Sequence, residues 1–207
     1  MITVLAAGFL LGLSVAAPIG AVGTAVIREG LERGARAAFL IGLGAACVDF
    51  VYLTLVYLGV APLLLQYPWL MSGFYLLGGL LLGQMAYGSF RRAWTGGLPV
   101  PSQRRAGGFL FGLGITLFNP AAIISWLGLG GAYASDYLVG RPWGEVALAL
   151  LAVAGGSAAW FGALSLLVGW GRHLAGERPW VFRSVNLGAG LVLTGFSVFF
   201  LSRLFTG

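Results

Sequence analysis

Lysine is absent from this chain, cysteine and histidine occur once each, and only six of its 207 residues are acidic. Each shortage excludes a class of chemistry. Cys47 lies inside an apolar segment and has no second cysteine to pair with, so neither a disulfide within these residues nor a thiolate metal cluster can form. His173, beside Arg172, leaves zinc sites and histidine-based catalysis poorly supplied. No hydrolase elbow, phosphate-binding glycine loop, dinucleotide fingerprint or metal-ligand cluster occurs. An intramembrane enzyme needs at least two converging acid-base or nucleophilic groups, and this chain carries one acid at depth. No enzymatic activity and no cofactor are expected.

Apolar surface is what the chain has in excess: 59% of residues are hydrophobic, 9% are charged, and the mean hydropathy is +0.93. These values describe a polytopic protein whose solvent is the lipid bilayer. Six apolar segments are expected to cross it, at about 2–27, 36–60, 69–90, 107–132, 143–171 and 181–202. The first is long enough to span and has no basic residue before it, so it reads as a span and not as a cleaved leader.

Charge collects between these segments. Loop one carries Arg28, Arg33 and Arg36, loop three Arg91, Arg92, Arg104 and Arg105, and loop five with its border Arg172, Arg178 and Arg183, which is ten of the twelve arginines. The positive-inside rule makes these loops cytoplasmic and places both termini outside. The basic balance therefore reports orientation, not nucleic-acid binding. Arg28, Glu29, Glu32, Arg33 and Arg36 read as a solvated cytoplasmic turn with local ion pairs. Tyr67, Trp69, Tyr133, Tyr137, Trp143, Trp170 and Trp180 fall near span ends and read as interfacial anchors.

The organising stretch is Gly8 to Gly30, a membrane-length run interrupted by Ala16-Ala17-Pro18-Ile19-Gly20. Proline removes a backbone donor and clashes with the carbonyl one turn back, so the helix must kink or split near Ala17. Backbone groups freed there need partners that lipid cannot supply, so the break should face the protein interior or a wet cavity. The pattern returns: Gly108-Phe109-Leu110-Phe111-Gly112-Leu113 echoes Gly8-Phe9-Leu10-Leu11-Gly12-Leu13, and Asn119-Pro120 breaks the second copy near where Pro18 breaks the first. The Gly/Pro-rich stretch from Thr95 to Arg105 joins the copies.

The expected fold is thus an all-α integral membrane protein, a single transmembrane domain over 1–207. Its six helices form two inverted three-helix repeats, at about 1–92 and 107–207 with a linker at about 93–106, and helices one and four are broken. Small residues four apart, as in Gly8/Gly12, Gly79/Gly83 and Gly108/Gly112, allow close helix approach and permit a homodimer without demanding one.

Asp49 falls near the middle of the second span, where a charged carboxylate without a partner costs roughly 3 kcal/mol. Such a group lines a wet cavity, pairs with a cation or holds a proton; alternatively it caps backbone exposed at one of the breaks. Tyr52, one turn on and sharing its face, is a weaker candidate for a hydroxyl partner. Asn119 offers an amide at the second break, either to read a polar solute or to repair the helix. Pro18 and Pro120 are structural breaks, and the half-helix amino termini that begin there suit a substrate carboxylate. Gln84, Ser157, Ser165 and Asn186 are weaker candidates.

These residues together resemble the LysE/RhtB family of amino-acid exporters. The resemblance runs through nearly the whole chain and rests on Gly12-Leu13 leading into Ala17-Pro18-Ile19-Gly20, on the basic turn Arg28 to Arg36, on Gly42-Leu43-Gly44-Ala45-Ala46 before Asp49, and on Phe118-Asn119-Pro120-Ala121 with Trp126 following. It implies a six-helix exporter of a small amino acid or similar metabolite, driven by proton antiport, with roles at Pro18, Gly20, Asp49, Asn119 and Pro120. The chain departs from the family where a further proline commonly follows the glycine and an asparagine often stands two residues on: here Ala21 and Gly23 occupy those places. The residues alone leave open an inorganic cation transporter with Asp49 as a hard oxygen ligand, or a membrane scaffold that transports nothing.

Overall fold

The computed structural model describes residues 1–18, 20–59, 67–94, 107–175 and 179–206, and among them every regular element is helical. The elements are α1 (Ile2–Ala16), α2 (Ala21–Arg33), α3 (Ala35–Tyr57), α4 (Pro68–Trp94), α5 (Gly107–Leu117), α6 (Pro120–Ser125), a π-helical turn (Trp126–Gly130), α7 (Gly131–Tyr137), α8 (Trp143–Ala175) and α9 (Pro179–Thr206). Helices are the outcome because each satisfies its own backbone in a medium without water. Their outer faces carry bare aliphatic side chains such as Leu10, Leu166 and Leu191, all exposed.

Among the described residues three helical stretches are long and apolar enough to cross a membrane: Ala35–Tyr57, Trp143–Gly171 and Arg183–Ser202. The number becomes five if each of two bent pairs counts as one span. These are Ile2–Ala16 with Ala21–Arg33, bent by 76°, and Gly108–Leu117 with Pro120–Leu138, bent by 63°. The chain is a multi-pass membrane protein. α4 covers the segment expected at 69–90; it is not among those five, which are counted over the described residues alone. The stretch expected to link the repeats lies outside the described residues from 95 to 106.

Both expected breaks are present, but the pieces are longer than the apolar runs implied. The half-helix after the first break continues to Arg33, where Gly34, at φ 91°, turns the chain into α3. That left-handed backbone is open to glycine and costly for other residues.

Two helix crossings set the packing. Where α1 meets α8, a Cβ on Gly12 would overlap the carbonyl of Val153, and one on Gly156 the carbonyl of Phe9. Where α5 meets α3, a Cβ on Gly112 would overlap the carbonyl of Ile41, and one on Gly44 that of Phe109. Backbones thus touch directly, which apolar lipid would not otherwise favour and which dispersion rewards. The last pair, α4 and α9, packs largely on itself, with the Ser197 hydroxyl donating to the Gly79 carbonyl at 2.8 Å. The cores on either side of Asp49 divide accordingly: Ala38, Ile41 and Ala45 belong to one buried cluster of α3, and Val48, Tyr52 and Leu53 to another.

The mixed-charge turn is solvated only in part: Arg36 is exposed and Glu29–Arg33 is a local ion pair as expected, but the turn also packs inward. Arg28 and Glu29 are each only 7% exposed. Arg28 reaches α4, donating from Nη1 to the Ser89 hydroxyl at 2.8 Å, while Glu32 pairs with Arg92 of α4 and Glu29 with Arg33. The partners on α4 lie some sixty residues downstream, so spacing within α2 did not reveal them. Of the expected interfacial anchors, Tyr67, Trp69, Trp143, Trp170 and Trp180 point outward. Tyr133 does not: it is buried, and its hydroxyl donates to the Val4 carbonyl at 2.9 Å, tying α7 to α1.

Gly112 and Gly114 make a paired test of the crossings. Gly112→Ala forces overlap with the α3 backbone and should lower stability by about 1–3 kcal/mol. At Gly114 nothing lies within 4 Å of an added Cβ, and the better helix former should be neutral or stabilising by up to about 1 kcal/mol. Thermal unfolding of the two variants in detergent measures the difference; equal midpoints would refute the close-crossing account.

Candidate functional site

At the first break α1 ends at Ala17 and the chain turns tightly, the Gly20 N–H bonding back to the Pro18 carbonyl at 2.9 Å. Gly20 is the extended N-cap of α2, and its carbonyl accepts both the N–H and the hydroxyl of Thr24, at 2.9 and 2.8 Å. No side chain caps this helix. At the second break Asn119 is the N-cap of α6 with Pro120 in the first turn, and its Oδ1 accepts the Ala121 N–H at 3.1 Å. Asn119 therefore repairs the helix.

Tyr52 is not the partner of Asp49. Its hydroxyl donates to the Leu117 carbonyl at 2.6 Å, with the Thr116 carbonyl at 3.4 Å. The Thr116 carbonyl also accepts the Asn119 N–H at 3.1 Å, but the Leu117 carbonyl loses its helical donor, the Ala121 N–H, to the Asn119 side chain, and a buried acceptor left unpaired costs more than the net gain of one ordinary hydrogen bond. The partner of Asp49 is Trp126, whose Nε1–H donates to Oδ1 at 2.8 Å. Ser157 on α8 stands beside the same carboxylate, and its hydroxyl donates to the Gly12 carbonyl at 3.1 Å. Asp49 is 5% exposed and Trp126 fully buried.

Trp126 opens the π-helical turn. Such a turn inserts one residue and swings the side chains after it relative to a straight helix, a distortion that concentrates at functional sites. Gly130 closes it and leaves the indole its space, since a Cβ there would stand 2.9 Å from the ring. The sequence placed Trp126 only within a motif; a mid-span indole whose N–H needs an acceptor is the signal it offered.

The two breaks enclose a cavity of about 260 Å³. Pro18, Gly20, Asp49 and Asn119 line it, as do the first-turn residues Ala21, Val22 and Gly23 of α2. Pro120 is buried directly behind Asn119 and does not line it. Thr116, Ser125, Phe161, Phe196 and Phe200 complete the wall, and none of these five was singled out from the sequence. Gln84 faces outward on α4, and Ser165 and Asn186 are buried away from the cavity. Asp49 alone among the lining residues is charged. No three His, Cys, Asp or Glu side chains come together among the described residues.

Gly20 offers a direct probe of this space. A Cβ there meets nothing within 4 Å, and its φ of −98° suits any residue. Gly20→Leu should leave the fold intact and plug the cavity, abolishing transport while the unfolding free energy stays within about 0.5 kcal/mol of the parent. Full transport by that variant would place the solute path elsewhere.

Comparison with known proteins converges on one family. Residues 13–204 match the LysE type translocator family. The chain is 36% identical over 133 residues, 59% of its length, to a Bacillus subtilis protein named "Putative amino acid efflux protein YcgF". It is 32% identical over 136 residues, 65% of its length, to the "Chemotactic transduction protein ChpE" of Pseudomonas aeruginosa. The matched regions span 60% and 66% of those relatives' own lengths. No solved structure matches the chain.

Proposed function

Because the chain belongs to the LysE type translocator family, we propose that it exports a small amino acid or related metabolite across the bacterial inner membrane, with protons moving inward in exchange. The observation that carries this reading is the partly open cavity where both helix breaks meet a buried carboxylate. A translocator needs a site reachable from either side in turn, and a cavity between packed helix pairs at mid-depth is where such sites are built.

Pro18, Gly20, Asp49, Asn119 and Pro120 have distinct roles in it. The first three N–H groups of a helix have no partner within it, and in α2 they belong to Ala21, Val22 and Gly23, on the cavity wall and without a side-chain cap. A substrate carboxylate fits there, helped by the dipole of a 13-residue helix. Asn119 has already closed the equivalent end of α6. Asp49, the one charged group on the wall, takes the substrate's ammonium when ionised and a proton when the substrate has left. Pro18 and Pro120 open the helices.

The architecture that supports alternation is an inverted pair of three-helix repeats in six spans, α4 being the third. The crossings support it: Gly12 and Phe9 of α1 stand to Val153 and Gly156 of α8 as Gly112 and Phe109 of α5 stand to Ile41 and Gly44 of α3. The first members differ by one hundred residues, the spacing of the sequence echo. The arginine-bearing loops then face the cytoplasm and both termini the outside. A family of translocators argues against an enzyme. An inorganic cation on the same scaffold finds one carboxylate and no second ionised ligand on the wall.

Inverted membrane vesicles turn export into accumulation. Radiolabelled amino acids should accumulate in vesicles carrying the protein when a proton gradient is imposed, and not without one. Asp49→Asn should reach the membrane folded and lose the gradient-driven component. Unchanged coupling in Asp49→Asn would remove the carboxylate from the mechanism.

A further inference from the structure

The cavity wall is divided. Its polar side chains, Asp49, Thr116, Asn119 and Ser125, come from α3 and from the broken helix of the second half, whereas α8 and α9 contribute the rings of Phe161, Phe196 and Phe200. The division follows from the crossings. Asp49 lies five residues beyond Gly44 on α3, and Phe161 five residues beyond Gly156 on α8, so the two positions correspond, with a carboxylate on one helix and a phenyl on the other.

These rings form a fixed wall. Phe161 is 3% exposed and occupies space that only a glycine at position 42 leaves open, since a Cβ there would overlap its side chain. Phe200 is 1% exposed and is held from behind by an edge-on contact with Tyr75 of α4, ring centroids 5.9 Å apart, and packs against Phe196 at 6.4 Å. A wall built this way does not swing a polar group into the cavity.

From this geometry we infer that the transported solute carries an uncharged, apolar side chain, seated against Phe161, Phe196 and Phe200. The inference rests on the exporter reading above and narrows it. Among the described residues of the wall, a second cationic group on the solute finds no second carboxylate and a second anionic group no basic side chain. A charge buried without a partner is strongly disfavoured. A side-chain hydroxyl or amide facing the rings forfeits its hydrogen bond to water. An aliphatic side chain gains the burial that the phenyls offer. The volume of about 260 Å³ lies just below the roughly 300 Å³ at which pockets for drug-sized ligands begin, which suits a single amino acid.

The test uses the full chain in inverted vesicles with labelled leucine, valine, threonine, lysine and glutamate at equal concentration under one proton gradient. Initial rates for leucine and valine should exceed those for lysine and glutamate by at least about tenfold, the discrimination that hydrophobic pockets reach. Phe196, half-buried and so the safest ring to alter, gives the variant: Phe196→Ser should lower the leucine rate at least about fivefold and narrow its lead over threonine. Thermal stabilisation of the purified parent by leucine but not lysine reads binding independently of transport and of the variant's folding. Preference for lysine or glutamate would overturn the inference and leave the exporter reading standing. Failure of every amino acid both to accumulate and to stabilise the protein would overturn both.

Discussion

Breaking a helix inside a bilayer strands backbone groups that lipid cannot satisfy, and the interior of this protein is arranged around how they are met. At the second break the Asn119 side chain takes one amide and Tyr52, reaching across from α3, takes the carbonyls of Thr116 and Leu117. At the first, Gly20 and Thr24 close a tight turn while the first turn of α2 stays uncapped. The breaks differ in one respect that matters chemically: one helix start is closed by its own side chain, the other opens on the cavity.

Holding two broken helices together requires unbroken ones at close range. Glycines at both crossings bring α1 onto α8 and α5 onto α3 with backbone against backbone, and Asp49 on α3 is thereby placed opposite the π-helical turn that carries Trp126. The carboxylate is then neither exposed to lipid nor neutralised by an arginine; the indole N–H orients it and leaves its charge. A buried carboxylate satisfied by neutral donors can still exchange a partner, which a tight ion pair resists.

The ionic contacts lie elsewhere, toward the arginine-rich end, where Arg28 and Glu32 of α2 meet Ser89 and Arg92 of α4. α2 consequently touches the cavity with its first turn and this charged cluster with its last two. It is also the element through which the α4 and α9 pair meets the helices of the first crossing. A displacement at one end of so short a helix is felt at the other, because helices transmit shifts as rigid bodies.

Composition alone determined that this is a membrane protein, since no soluble core accommodates so much apolar surface, and proline chemistry alone located the breaks at Pro18 and Pro120. Asp49 and Asn119 were legible because a polar group in an apolar run is costly and so conspicuous. What shares the cavity with them was decided only by the tertiary structure. Trp126 is separated from Asp49 by 77 residues, and Phe161, Phe196 and Phe200 are ordinary apolar residues whose role depends on which way their helices face. The partners of Tyr52, Arg28 and Glu32 were hidden for the same reason: local spacing puts neighbours on one face of one helix, as it does for Glu29 and Arg33, but a buried polar group bonds to whatever the crossing brings near, and the crossings are set by glycines whose partners are distant in sequence.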